Sequence, residues 1–440
     1  MIYPNLLEVW RAARQRRLGL FTGLLLVSLA GCGKQAQSDQ IESRRPERMI
    51  RRPVVARREL AESPAKSATE FVQTEATAAD SEVGDGLIYR NDRIGAGPWS
   101  INLLKIDRSR KEFSLTTSIG RGRVMGLGPL SEQLEAIPAD VGQPVAAING
   151  DFYRTEQESY PGDPRGLQIA RGELISAPNG KTAFWVDGDG VPNIGNVTPR
   201  FLVTWPNGDT TAFGLNEERH ANDAIVYTPR AGNSTRTGGG RELILTAADQ
   251  GSWLPLQPGH TYTAQVREVR SSGNSRLRND LLVLSIGPLL LDRIPEVRVG
   301  DRIKLSTETS PDLNGVQVAV GGGPVLVHNG KVQPANASKS RERHPRSAFG
   351  WNDRYYFFVE VDGRQHGFSV GMSLPELASY LVKQGCQEAM NLDGGGSAEM
   401  WVEGQVVNRP CFGYERNTAN GLVMVRKAKT GEKVAGAAGQ

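Results

Sequence analysis

From about residue 86 onward the chain is written in short runs that alternate apolar and polar residues, broken by Gly, Asp, Asn and Pro. Residues 101–106 (Ile-Asn-Leu-Leu-Lys-Ile) and 183–186 (Ala-Phe-Trp-Val) are examples. A short period puts successive side chains on opposite faces, so these runs predict strands joined by tight turns. Two stretches read as helix, 130–137 and 374–384. The second carries the better signals. Ser373 stands at the N-cap, Glu376 three residues on completes a capping box, and Gly385 follows the last turn. Residues 200–315 show no helix signal, only strands predicted at 201–204, 242–246, 261–269, 281–285 and 302–306. The pattern predicts an α+β fold: a mixed or antiparallel sheet core with few helices, and 200–315 as an inserted all-β subdomain. The body resumes at 317–320 and runs to about 425, and the domain is set at 85–428. The polar, small-residue stretch 429–440 reads as a flexible tail.

The start of the chain has a different pattern. Arg11, Arg14, Arg16 and Arg17 precede an apolar run at 18–29. The run is short for a bilayer span and reads as the core of a secretion signal. It ends in Leu29-Ala30-Gly31-Cys32, which resembles the lipobox of bacterial lipoproteins. That resemblance implies a signal peptide at 1–31, cleavage before Cys32, and acyl chains such as palmitate on the new N-terminal cysteine, anchoring the protein in a membrane. Gly33, where Asp would direct retention, implies outer-membrane sorting in a cell that has one. The expected location is the cell envelope, on the outer membrane or the periplasmic face. Residues 32–84 lack a sustained apolar period and read as a lipidated cysteine followed by a disordered tether. Its basic block, Arg44, Arg45, Arg48, Arg51, Arg52, Arg57 and Arg58, is either spacer or a contact for anionic head groups or cell-wall polymer.

Composition narrows the field. The 440 residues are 23% charged and 38% hydrophobic, so the whole chain is neither disordered nor a multi-span membrane protein. Gly at 51 and Pro at 25 favour turns and exclude a coiled coil as the main architecture. The formal charge of +4 falls to about +1 without residues 1–31, which leaves no general electrostatic case for nucleic acid. Three cysteines are too few for a disulfide scaffold, and five histidines without zinc-site spacing argue against zinc. The sequence requires no cofactor and leaves a divalent cation open.

Four segments concentrate the chemistry. The first is Ala389-Met390-Asn391-Leu392-Asp393-Gly394-Gly395-Gly396-Ser397. An apolar strand runs into a carboxylate, three glycines and a hydroxyl. Three consecutive glycines are expensive in backbone entropy, and are justified where the chain reaches positive φ or approaches a ligand closely. Successive N–H groups there would form an anion nest beside Asp393. The plainer alternative is a hairpin turn. The second is Arg341, Arg343, His344, Pro345, Arg346 and Ser347, guanidinium-rich and suited to phosphate, or a solvated basic turn. The third is Ala147-Ile148-Asn149-Gly150-Asp151-Phe152-Tyr153, a strand end carrying Asn-Gly-Asp, or an ordinary turn. The fourth holds Asp362-Gly363-Arg364 and a formal G-x-S-x-G around Ser369. A hydrolase elbow needs a histidine after its serine. His220, His260, His328, His344 and His366 all precede Ser369, which removes that reading. Asp187-Gly188-Asp189-Gly190 lacks the remaining ligands of a calcium loop and reads as a turn.

Arg346-Ser347-Ala348-Phe349-Gly350, the strand into Val361-Asp362-Gly363, the helix, and Asn391 to Ser397, taken in order and spacing, resemble the phosphodiester glycosidase family. Asn149-Gly150 and Gly321-Gly322-Gly323-Pro324 fit earlier blocks. The resemblance covers about 85–428, is specific over 340–425, and is weak over 200–315. It implies a hydrolase that cleaves a sugar-1-phosphate diester at the anomeric carbon and frees the sugar from an envelope or extracellular phosphoglycan. Such cleavage passes through an oxocarbenium-like state managed by carboxylates. The phosphate leaving group calls for positive charge and N–H donors more than for a strong acid. Asp393 is the expected catalytic carboxylate, with Asp362 second and Arg346 on the phosphate. Gly394, Gly395 and Gly396 would supply donors. Asn149, Asn391 and Ser397 would orient sugar or phosphate, and Arg364, Asn408 and Arg416 would join the rim. Asp151 stands where relatives often lack a carboxylate, so substrate contact, a metal ligand and a catalytic role stay open for it. Cys386 and Cys411 bracket the glycine turn and would pin it if paired in an oxidising compartment. A non-catalytic glycan- or phosphate-binding lipoprotein, and an envelope assembly protein docking through 200–315, are the competing readings.

Overall fold

The computed structural model describes residues 75–76, 80–95, 97–249, 253–334 and 341–427. The signal, Cys32, the arginine-rich tether and the 429–440 tail lie outside the described residues.

The strands Trp99–Asp107 and Tyr355–Val361 are buried at most positions, because both of their faces are covered. Ile101, Leu103, Phe357 and Val359 face the helix Leu374–Lys383 through its Leu377, Ala378 and Leu381. Leu104, Ile106 and Phe358 point the other way, into a core shared with Val145, Ile148, Phe184, Val320, Met400 and Leu422. Alternate residues of one strand thus serve two cores. The helix begins as its sequence dictates: the Ser373 side chain accepts from the Glu376 N–H, and Glu376 accepts from the Ser373 N–H at 2.8 Å. Gly385 follows it at φ +86°.

The largest sheet is antiparallel. Tyr355–Val361 lies between Trp99–Asp107 and Arg346–Trp351, with Phe358 opposite both Leu104 and Phe349. Arg346–Trp351 pairs in turn with Glu388–Asn391. Ser81–Gly84 and Glu75–Ala76 both pair with Leu87–Ile94, so paired chain begins ahead of residue 85, where the sequence suggests spacer. A second sheet centres on Gln143–Asn149, flanked by Met400–Val402 and Gly421–Arg426. A third centres on Val318–Gly321, flanked by Thr182–Val186 and Gln168–Ala170. An eight-stranded sheet spans Thr198–Thr204 to Arg302–Ser310, and its core around Phe201, Val203, Leu243, Leu284 and Leu305 is continuous with Ile169, Trp185 and Ala319 of the third sheet. The fold is therefore more β than the α+β expectation. Among the described residues the α-helices are Leu130–Glu135 and Leu374–Lys383.

Three strands of three sheets end together, at Asn149, Gly321 and Asn391. Main-chain hydrogen bonds stitch the ends: Asp393 N to Gly150 O at 2.9 Å, and Gly323 N to Asn391 O at 2.7 Å. The chemistry collects there.

Candidate active site

The turn after Glu388–Asn391 differs from the anion nest that its glycines suggest. The Gly394 N–H turns back on the Asp393 carboxylate. The Gly395 N–H donates to Pro345 O at 2.8 Å and the Ser397 N–H to Gly394 O at 3.1 Å. Most of the donors expected for an oxyanion are thus spent inside the protein. The glycines are needed for proximity. A Cβ on Gly394 would lie 2.7 Å from Pro345 O, and one on Gly396 would lie 2.2 Å from the Phe412 ring. Gly395 adopts φ +62° beneath the Arg364 guanidinium. Bare backbone lets strand, guanidinium and aromatic ring crowd around Asp393.

Asp393 faces a second carboxyl, and it is Asp151. The charge of Asp393 raises the Asp151 proton affinity, and burial raises it more, together pushing that carboxyl up to about 7. Asp151 is buried. Its Oδ1 accepts the Phe152 N–H at 2.8 Å, whereas Oδ2 has no hydrogen-bond partner, although the Gly166 amide lies close enough to lower the proton affinity slightly. A Cβ on Gly321 would come within 2.3 Å of Oδ2, and one on Gly166 within 3.0 Å, so two glycines make room for this carboxyl. Burial pushes Asp393 up to about 6, opposed by the Ser397 hydroxyl, the Gly394 N–H and Arg416. Two interacting carboxyls whose proton affinities lie near neutrality are suited to proton transfer.

Three guanidiniums stand at the turn that carries Asp393. Arg346 donates Nε to Met372 O at 2.9 Å and Nη2 to Glu342 O at 2.8 Å. Burial and the charge of Arg364 both lower its proton affinity. Arg364 holds a left-handed backbone at φ +59°, an uncommon and costly state for a side-chain-bearing residue. Its Nη2 lies 3.4 Å from His344 Nδ1. Arg416 reaches Ser397 Oγ at 3.3 Å and sits over the Tyr153 ring. Neither Arg346, Arg364 nor Arg416 has a carboxylate ion-pair partner among the described residues. Arg346 and Arg364, which repel each other, and Arg416, which acts on Asp393, suit an anion at this turn. A cavity of about 240 Å³ lined by Arg154, Asp163, Arg165, Asn179, Lys181 and Glu217 adjoins Asp151, whose carboxyl also feels Lys181.

Other expected site residues are used differently. Asp362 is buried with Oδ2 on Ser100 Oγ at 2.8 Å and Oδ1 on the Arg409 N–H at 2.7 Å, so both oxygens hold loops together. Asn149 Oδ1 accepts from Ser347 Oγ and the Glu399 N–H, and its Nδ2 donates to Asp393 O at 2.7 Å. Asn391 Nδ2 donates to the Gly323 and Leu392 carbonyls. Asn408 straps Met400 N to Ala398 O. These three amides position backbone, and the Asn391 Oδ1 is buried without a hydrogen-bond partner. Ser397 is buried too, with Oγ shared among Asp393, Arg416 and Tyr153 Oη at 3.2 Å. Cys386 and Cys411 are both free: Cys386 is packed under the helix, and the Cys411 thiol points at Gly395 O, 3.8 Å away. Ser369 is fully buried, its hydroxyl donating to Asp362 O and accepting from Ser100 N, as suits a structural serine. Asp187 closes its own turn by accepting from Asp189 N and Val191 N. No group of three or more His, Cys, Asp or Glu among the described residues is arranged to hold a metal. Tyr153, Lys181 and Phe412 were not signalled by sequence. Tyr153 stands two residues beyond Asp151, and that adjacency was the one available clue.

Residues 290–425 match the model of the phosphodiester glycosidase family. That segment holds Arg346, Arg364, Asp393 and Arg416, whereas Asp151 lies outside it. The prophage-derived protein YomE of Bacillus subtilis is 36% identical over 83 residues, which are 19% of this chain and 13% of that protein. A solved structure from Synechocystis superposes with a TM-score of 0.63 at 20% identity, covering 80% of this chain and 64% of that one. Another, from Burkholderia pseudomallei, gives 0.58 at 22% identity over 75% and 74%. The two solved structures share the fold. The chain spans less than two thirds of the length of the Bacillus and Synechocystis proteins that it matches.

Proposed function

We propose that the protein is a hydrolase that cleaves a sugar-1-phosphate diester at the anomeric carbon. The observation that carries the reading is the facing pair Asp393 and Asp151, both held near neutrality, beside guanidiniums without carboxylate partners. The bond between C1 and the phosphate oxygen breaks, and water supplies the new oxygen on C1. Positive charge builds on the ring and is met by the ionised Asp393, as nucleophile or as electrostatic stabiliser. The departing phosphate monoester is a weak base and needs charge more than a proton. Arg346, Arg364 and Arg416 supply that charge from different sides. Asp151, protonated up to about pH 7, gives its proton to the departing phosphate oxygen. As water joins C1 it gives up one proton, which reprotonates Asp151, and its other hydrogen stays on the new sugar hydroxyl.

The substrate proposed is a phosphoglycan of the cell envelope or its surroundings. The lipobox at Cys32 supports that setting, since acylation there would tether the enzyme at a membrane surface. A divalent cation is not invoked in any step.

Release of free reducing sugar from a panel of sugar-1-phosphate diesters tests the reading. Asp393→Asn should lose roughly a thousandfold in kcat, and Asp151→Asn a comparable amount. Turnover equal to wild type in Asp393→Asn would remove the assignment.

A further inference from the structure

The loop that follows the active-site turn exposes two aromatic rings. Phe412 is 53% exposed and Tyr414 67% exposed, and their rings stack at 6.1 Å between centroids and 25° between planes. Aromatic rings usually bury most of their 150–250 Å², and a rigidly displayed pair is costly unless something covers it.

The display is rigid because the loop is pinned around it. The Cys411 thiol contacts Gly395 O, Glu415 accepts the Ser131 N–H at 3.1 Å, and Arg416 is held by Ser397 and the Tyr153 ring. Residues 411, 415 and 416 face inward, and 412 and 414 are left outward. The position is tied to the reaction centre. The Phe412 ring edge lies on Gly396, so closely that any side chain at 396 would collide with it. Along four consecutive residues the neighbours are therefore the Asp393 carboxyl, Pro345, the Arg364 guanidinium over Gly395, and the Phe412 ring over Gly396.

We infer that Phe412, continued by Tyr414, is a stacking platform for the pyranose ring of the substrate. This rests on the proposed reading of the site. A sugar phosphate has two unlike parts: an anion, and a ring whose axial C–H groups form an apolar face. Arg364 and Arg416 match the first, and the exposed rings match the second. An aromatic plane beside the acid fixes the ring without spending hydrogen bonds on its hydroxyls. That accounts for the amides of Asn149 and Asn391 being used on backbone instead.

Calorimetry on the full chain with α-glucose 1-phosphate and with inorganic phosphate tests the inference. Phe412→Ala should weaken glucose 1-phosphate about tenfold and leave phosphate unchanged, and Phe412→Trp should restore binding. Glucose 1-phosphate binding unchanged in Phe412→Ala would overturn the platform. So would an equal loss for both probes, which reports a collapsed loop and not a lost face. Arg364→Ala is the separate control on the underlying reading and should weaken both probes. If wild type binds neither, the phosphate site itself fails and the platform falls with it.

Discussion

Asn149 donates its side-chain amide to the main-chain carbonyl of Asp393 at 2.7 Å, while its own carbonyl oxygen accepts from Ser347 and from the Glu399 N–H. One buried side chain thus joins three strand ends and sets where the Asp393 carboxyl stands. The neighbouring bond from Asp393 N to Gly150 O holds Asp151 in step with it.

Removing that hub should cost both fold and rate. Asn149→Ala leaves a buried N–H, a hydroxyl and a carbonyl without partners, a loss of about 1–3 kcal/mol for each group stranded. Urea unfolding should show a lower midpoint with an unchanged slope, and kcat should fall while KM for the substrate changes little. A fall in KM-side binding with kcat intact would mean that Asn149 touches substrate after all.

The carboxyl pair sets the pH dependence. Asp393 must be ionised, so activity is lost as pH falls through about 6. Asp151 acts as the acid, so activity is lost as pH rises through about 7. The rate should describe a narrow bell with its maximum between these values, the two limbs belonging to the pair as a whole. The charge on Asp393 is one of the causes raising Asp151. In Asp393→Asn the residual activity, or the Asp151 carboxyl followed by NMR, should titrate at lower pH than in wild type. An unshifted Asp151 would show that the two do not interact.

Stability should fall as pH rises, through buried carboxyls that hold a proton when folded: Glu360, which burial raises well above its ordinary value, and Glu399. The Glu399 carboxyl is 2% exposed, Oε1 has no hydrogen-bond partner, and burial beside Glu415 pushes it up to about 9. The folded protein holds a proton there that the unfolded chain releases near its ordinary value of 4.5. Raising pH between those values therefore favours unfolding, by on the order of a few kcal/mol in all. The melting temperature should drop from pH 5 to pH 9 in wild type and drop less in Glu399→Gln. Parallel curves for the two proteins would place the titration at Glu360, or at Asp163, pushed up to about 8 by burial and Glu217, as the next groups to replace.

Local structure was legible in the sequence wherever its cause is local. The capping box at Ser373 and Glu376, the turn at Asp187 and the alternation in 99–107 depend on residues within a few positions of one another, and they formed where the pattern put them. The glycine run beside Asp393 also stood out, because three glycines have no cheap local explanation.

What those glycines are for was decided by tertiary structure. Their N–H groups were expected to hold an anion, and they close onto Pro345 O and the turn itself, while the missing side chains admit Arg364 and Phe412. The partner of Asp393 was decided the same way. Asp362 lies 31 positions before it in the chain and looked the nearer choice, yet its oxygens are committed to Ser100 and Arg409. Asp151, 242 positions away, arrives because three sheets end at one point. Residue type and spacing determine which chemistry a chain can carry and where its turns fall. Which carboxyl keeps an uncommitted oxygen depends on what the rest of the fold brings against it, and that is a property of packing between segments remote in sequence.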